Sequence, residues 1–263
     1  MFPVLQIGPL AIQTYPLALL LAGWAALAIG AWGAQRQRVD GDHIYNLGLY
    51  GFLAGVVAAR AGHVAAYWSS YRGQLLEIFG FNTQAFVLWP GLLAGLLVAA
   101  WYVYRHKLPV VRVLDAAAPG ILIGIAIAAV GALLAGRFPG APADLPWSVD
   151  LWGVRRHPSQ IYEAVAALVV AAVAANALRG GARPGAVALV ALFGFGLSRW
   201  LLEPFRAESA TILGGLRLAQ VWGLALSLAA LWGLARQRMA HLTPSGSPSP
   251  DMRARTSGEG DGG

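Results

Sequence analysis

The sequence predicts an all-α integral membrane protein, a seven-transmembrane helical bundle with its N-terminus outside and its C-terminus in the cytoplasm. Three observations carry that expectation. Of 263 residues, 57% are hydrophobic and only 12% charged, against roughly 25% charged in a soluble domain. The apolar residues come in long blocks rather than at amphipathic spacing, and about 18 such residues in a row suffice to span a bilayer. Finally, the basic residues of the short loops fall unequally on two sides, as the positive-inside rule describes.

The blocks lie near 15–34, 45–68, 85–104, 115–135, 159–178, 185–204 and 215–235, with ends uncertain by about four residues. The first has no basic leader and no small-residue cleavage site, so it is expected to stay as a helix rather than leave as a signal peptide. Alternating the loops across seven spans puts Arg36, Arg38, Arg105, Lys107, Arg112, Arg179, Arg183, Arg236 and Arg238 on one side. Arg72, Arg137, Arg155, Arg156, Arg206 and Arg217 fall on the other. The richer side is assigned to the cytoplasm. Residues 1–240 therefore read as one transmembrane domain, and the Ser/Pro/Gly-rich stretch 241–263 as a disordered cytoplasmic tail. The longest connection, about 136–157, contains the alternating "WSVDLWGV". It predicts a short hairpin on the outer face with Trp147 and Trp152 as interfacial anchors.

The absence of cysteine excludes disulfides and thiolate chemistry on the chain itself. A net charge of +7 is explained by basic loops facing anionic membrane lipid, so no nucleic-acid partner is expected. No metal-ligand spacing and no cofactor motif stands out.

Charges inside spans are costly, and they persist when paired or functional. In "SRWLLEPFR", Arg199, Glu203 and Arg206 fall on one helical face. Two guanidiniums beside one carboxylate suit a phosphate, whose oxygens an arginine fork grips in pairs. A helix-end ion pair with Arg206 reaching to the interface is the plainer alternative. In "ARAGHV", Arg60 and His63 share a face of the second span; a satisfied core arginine and histidine would read the same way. Asp115 opens the fourth span, where a carboxylate suits a helix N-terminus.

The stretch "GVRRHPSQIYEA", Gly153 to Ala164, gathers polar groups at the mouth of the fifth span. Pro158 fits a first helical turn, and Gln160 is placed to reach back to the cap as in a capping box. Capping leaves His157, Tyr162 and Glu163 unexplained at the level of Glu203 and Arg206.

These residues resemble a known family. "RRHPSQIYEA" is similar to the R-H-P-S-Q-L-Y-E signature of the bacterial prolipoprotein diacylglyceryl transferases. Further segments agree in order: "IGPLAIQTYPLALLLAG", "GFLAGVVAARAGHV", "DAAAPGILIGIAI", "PGAVALVALFGFGLSRWLLEPFRAES" and "LAQVWGLAL". The resemblance covers about residues 6–235. It implies transfer of the diacylglyceryl group of phosphatidylglycerol to the lipobox cysteine thiol of a lipoprotein precursor, recognised by its signal peptide, at the bacterial cytoplasmic (inner) membrane. A catalytically silent homologue that still binds anionic phospholipid is the alternative reading.

Carried over residue by residue, the resemblance implies substrate-binding roles for Tyr15, Arg60, Ser159, Gln160, Tyr162, Glu163, Arg206 and Gln220. It implies catalytic roles for His157, Arg199 and Glu203, with Arg199 and Arg60 meeting the phosphate and Glu203 orienting the cations. The chain departs from the pattern at several positions. Pro90 stands where the family's third-span histidine does. Ala129, Ala132 and Ala135 replace an arginine and two asparagines, Arg137 replaces a glutamate, and Phe195 a tyrosine. With that histidine gone, His63, where the family has tyrosine, is the expected substitute base, since a neutral imidazole accepts a thiol proton near neutral pH. His157 competes for the role.

Overall fold

The computed structural model describes residues 2–8, 10–80, 86–212 and 215–242. The expected disordered tail lies outside the described residues from 243 onward; His241 and Leu242 still belong to the last helix.

An antiparallel hairpin opens the chain, β1 (Val4–Ile7) pairing with β2 (Leu10–Gln13). Then come α1 (Thr14–Arg36) and α2 (Gly41–Ala66), a short helix α3 (Trp68–Tyr71) and a 3-10 turn, Leu75–Phe79. Helices α4 (Leu88–Arg105) and α5 (Val110–Leu134) follow. The hairpin β3 (Val149–Leu151) and β4 (Val154–Arg156) leads into α6 (Ser159–Arg179), α7 (Ala186–Leu202) and a 3-10 turn, Glu203–Phe205. The last helix is α8 (Leu218–Leu242).

The structure is thus mostly helical, with two small hairpins that an all-α reading leaves out. Six of the helices, α1, α2, α5, α6, α7 and α8, are long and apolar enough to cross a membrane. The third expected span, α4, falls outside that set. It is only 18 residues long, and Pro90, two tryptophans, two tyrosines and Arg105 dilute its leucines.

Each helix packs mainly on one or two others, in the lateral order α4, α2, α1, α5, α6, α7, α8, with α5 also touching α7. The interior is made of small residues: Ala34, Ala116 and Ala174 are fully buried, while Leu20, Trp24, Val57 and Leu97 are exposed. In water such a surface would aggregate; against lipid it is the solvated face. Helices in a bilayer gain from close van der Waals approach, which small residues permit. At Gly120 a Cβ would lie 2.3 Å from the Ala26 carbonyl oxygen of α1, and at Gly91 one would lie 2.7 Å from the Gly55 carbonyl oxygen of α2. Alanine at either position would push the helices apart.

Asp115 does cap a helix, but not its own. It lies a turn and a half inside α5, fully buried. Its carboxylate accepts hydrogen bonds from the backbone N–H groups of Gly185 (2.6 Å) and Ala188 (2.8 Å) at the start of α7. Negative charge at that helix end is favourable, and it ties α7 to α5.

Candidate active site

The starts of α1, α6 and α8 meet the ends of α5 and α7 at one end of the bundle. The segment after α5 threads between them. Ala141 N–H donates to the Phe205 carbonyl at 2.8 Å, and His157 N–H donates to the Ala141 carbonyl at 3.0 Å. Beyond it, the β3–β4 hairpin turns through Trp152 and Gly153, both at positive φ (61° and 75°). That pair forms the type I′ turn suited to the twist of two strands. The hairpin expected from "WSVDLWGV" is therefore present. Trp152 is exposed, and Trp147, also exposed, donates its indole N–H to the Tyr162 hydroxyl at 2.8 Å.

The centre of the site is Glu163, one turn into α6. Its Oε1 accepts from the Arg199 guanidinium at 2.7 Å and pairs with Arg206 through the same oxygen. Arg199 also lies 3.9 Å from Glu203 Oε2. Glu203, with a side chain only 5% exposed, accepts the hydroxyl of Ser209. Arg217 donates to the carbonyls of Glu203 and Arg206 and so closes the 3-10 turn. The expected grouping of Arg199, Glu203 and Arg206 is present, with one difference. The carboxylate that both guanidiniums grip most closely is Glu163 of the neighbouring helix. An i, i+4 spacing could not reveal a partner 36 residues away.

Around this cluster the other motif residues take definite places. Arg206 lies over the Phe138 ring at 5.6 Å, and Phe138 meets Tyr15 edge-on at 6.0 Å. The Arg137 guanidinium sits over Tyr15 at 5.0 Å. His157 Nδ1 is 3.4 Å from the Tyr162 hydroxyl, and its ring is edge-on to Phe205 at 5.1 Å. Gln160 does not close a capping box. Its Nε2 donates to the carbonyls of Arg137 (2.7 Å) and Phe138 (3.0 Å), while the helix carries no side-chain cap. Those carbonyls lie in the segment just after α5, and satisfying them outweighs a local cap. Ser159 is buried with its hydroxyl unpartnered among the described residues, as is Gln160 Oε1. Gln220 sits at the start of α8, its amide 3.5 Å from the Trp200 carbonyl.

Arg60 and His63 stand apart on α2. Arg60 donates to the carbonyls of Ile78 (2.9 Å) and Glu77 (2.6 Å) and borders an apolar cavity of about 560 Å³ beside the 3-10 turn. The cavity bordered by Glu163 and Arg199 is a separate one. The His63 ring lies 4.7 Å from that of Tyr67, and its nitrogens have no hydrogen bond among the described residues. Pro90, at the position of the family pattern's histidine, abuts the same helix turn: a Cβ on Gly62 would be 2.7 Å from its Cγ.

Sequence reasoning missed Arg217 and Arg137 as members of this region. Arg217 carries no local signal, being a loop arginine before a helix. Arg137 was visible only as a charge reversal against the family pattern.

Comparison with known proteins follows the same outline. The profile of a family described as prolipoprotein diacylglyceryl transferase matches residues 3–236. A phosphatidylglycerol–prolipoprotein diacylglyceryl transferase of Thermosynechococcus vestitus is 29% identical over 265 residues, covering 95% of each chain. The protein of the same name from Nostoc sp. is 29% identical over 98% of this chain and 95% of its own. That of Photobacterium profundum is 32% identical over 80% of this chain and 82% of its own.

Proposed function

The chain belongs to the prolipoprotein diacylglyceryl transferase family, and on that premise we propose that it moves the diacylglyceryl group of phosphatidylglycerol to the lipobox cysteine of lipoprotein precursors. The observation that carries the reading to chemistry is the shared carboxylate. Two arginines of the α7 end converge on Glu163, in a partly buried place where electrostatic interactions are strengthened. In the reaction the cysteine sulfur attacks the glycerol carbon that bears the phosphate. A C–S bond forms, the C–O bond breaks, and glycerol 1-phosphate leaves with the bonding pair. The thiol proton passes to a base. Negative charge grows on the leaving phosphate, and Arg199, with Arg206 beside it, is placed to meet that charge. Glu163 and Glu203 hold the guanidiniums ready in the absence of lipid.

His63 is the proposed base. Its nitrogens are uncommitted, and it lies next to the turn that Pro90 touches. His157, close to Tyr162 and hemmed by Phe205, fits a positioning role better. Arg60 anchors the 3-10 turn beside the apolar cavity, Tyr15, Tyr162 and Gln220 shape the lipid-facing mouth, and the buried Ser159 and Gln160 brace it from behind. In this reading α4 completes seven spans. The site faces outward, where the precursor's signal peptide emerges, and the basic loops face the cytoplasm. The membrane is the bacterial cytoplasmic membrane, and residues 1–240 form the catalytic domain with 241–263 as its cytoplasmic tail. The silent-homologue alternative is not favoured, since the family match and the enzymes above span nearly the whole chain.

The test is direct. Purified protein, phosphatidylglycerol labelled in both halves and a lipobox precursor peptide should yield a thioether-linked diacylglyceryl peptide and one equivalent of glycerol 1-phosphate by mass spectrometry. Formation of neither product by folded protein would refute the assignment.

A further inference from the structure

The charges of α6 and α7 are already matched to each other. Glu163 receives Arg199 and Arg206, Glu203 receives Ser209, and the cavity that Glu163 and Arg199 border holds about 20 Å³. That is room for about one water, so a phosphodiester reaches Arg199 only by displacing Glu163, and the headgroup needs a first foothold elsewhere. The recess on the other side of Tyr15 is different. It holds about 330 Å³ between the N-terminal hairpin, the start of α1 and the end of α5, with Gln13, Tyr15 and Arg137 on its walls.

Arg137 is mounted in an unusual way. Its backbone is fixed on both sides: the N–H donates to the Ala132 carbonyl at 2.8 Å, and the carbonyl accepts from Gln160 Nε2 at 2.7 Å. Its side chain is exposed, with the guanidinium over the Tyr15 ring at 5.0 Å. Among the described residues that guanidinium has no carboxylate or carbonyl partner. Stacking on a ring holds a guanidinium's plane while leaving its N–H edge free for an acceptor. A cation over a ring, on the wall of a recess large enough for a headgroup and with no carboxylate or carbonyl partner among the described residues, is suited to a phosphate ester.

We propose that Arg137, over Tyr15, is the specificity-determining cation that first receives the anionic phosphate of the lipid donor before it passes to Arg199, and that Gln160 is its positioning residue. The identity of the donor rests on the transferase reading; binding of a phosphate ester does not. The same chemistry would accept a lipid headgroup or a free phosphate ester, and the experiment separates them.

Full-length protein in phosphatidylcholine nanodiscs is titrated with phosphatidylglycerol, with soluble glycerol 1-phosphate and with inorganic phosphate. Wild type, R137Q, R137K and Q160L are compared by binding and, in the transfer assay, by KM and kcat. R137Q should weaken phosphatidylglycerol binding about tenfold or more, as loss of a charge-assisted hydrogen bond predicts, with R137K falling between. Both R137Q and Q160L should raise KM while kcat changes less than twofold; a purely structural role for Gln160 would instead lower kcat and the unfolding temperature together. Equal binding by wild type and R137Q, or no saturable binding by wild type, overturns the site. Binding of the soluble ester with none of the lipid overturns the lipid assignment. Wild type that binds the lipid yet transfers nothing overturns the transferase reading and leaves the Arg137 site standing.

Discussion

The polar equipment of the bundle divides into two regions that treat charge differently. At the junction of α6 and α7 charge meets charge: Arg199 and Arg206 share Glu163, and Glu203 lies behind them. On α2 charge meets backbone and rings. Arg60 is held by the carbonyls of Glu77 and Ile78, and His63 stacks beside Tyr67. An ion cluster can exchange one anion for another, so an incoming phosphate can compete with a carboxylate for a guanidinium. A guanidinium that donates to carbonyls at the end of a 3-10 turn holds a piece of chain in place. In the proposed reading the first region meets the anionic ligand, while the second fixes a segment and presents the imidazole of His63.

Substitutions should tell the two regions apart. Arg199→Ala is expected to abolish transfer. It removes a charge-assisted contact worth about 1.5–3 kcal/mol, weakens phosphatidylglycerol binding at least about tenfold, and strands Glu203. Equal lipid affinity in a folded variant would remove the phosphate role. Glu163→Gln leaves two guanidiniums with one less counter-charge between them. Breaking a buried pair costs about 3–5 kcal/mol, and the partial exposure of these side chains puts the expectation near the lower figure. Thermal unfolding in detergent should show the loss, with transfer down more than about a hundredfold.

His63→Phe probes the α2 region. It keeps a ring against Tyr67 and removes the nitrogens. A lost general base predicts a fall in kcat of about a hundredfold at unchanged unfolding temperature. Activity equal to wild type would leave His63 as packing alone. Arg60→Met has the smallest expected effect. It frees two carbonyls that water can reach, for about 1 kcal/mol. Faster hydrogen exchange across residues 75–80 should accompany a transfer rate above a tenth of wild type. A larger loss than that of Glu163→Gln would reverse the contrast between the regions.

What the sequence could say depended on how local the physics was. Six spans were legible because a bilayer demands an unbroken apolar run, a property of one segment at a time. The N-terminal hairpin is faint in "VLQIGPLAIQ", where a turn signal separates two runs of only four residues, too short to stand out beside an apolar helix. Asp115 reads as a cap for its own helix, but the N–H groups it accepts from begin at Gly185, 70 residues away. Gln160 is spaced to close a local cap, whereas it donates to two carbonyls in the segment that follows another helix. The motif named the members of the ion cluster, but Glu163 as its hub is a property of two helices side by side. Arg137 showed only as a mismatch until Tyr15, from the other end of the sequence, appeared beneath it.

The most direct test of the α6–α7 cluster as the centre of transfer is rescue of a bacterial strain depleted of its own diacylglyceryl transferase. Wild type, Glu163→Gln and Arg60→Met are expressed at matched levels, and the thioether-lipidated precursor is read by mass spectrometry. Wild type should restore growth and lipidated precursor, Arg60→Met should restore most of both, and Glu163→Gln neither. Lipidation by Glu163→Gln at the wild-type level, or none by wild type, would contradict the account.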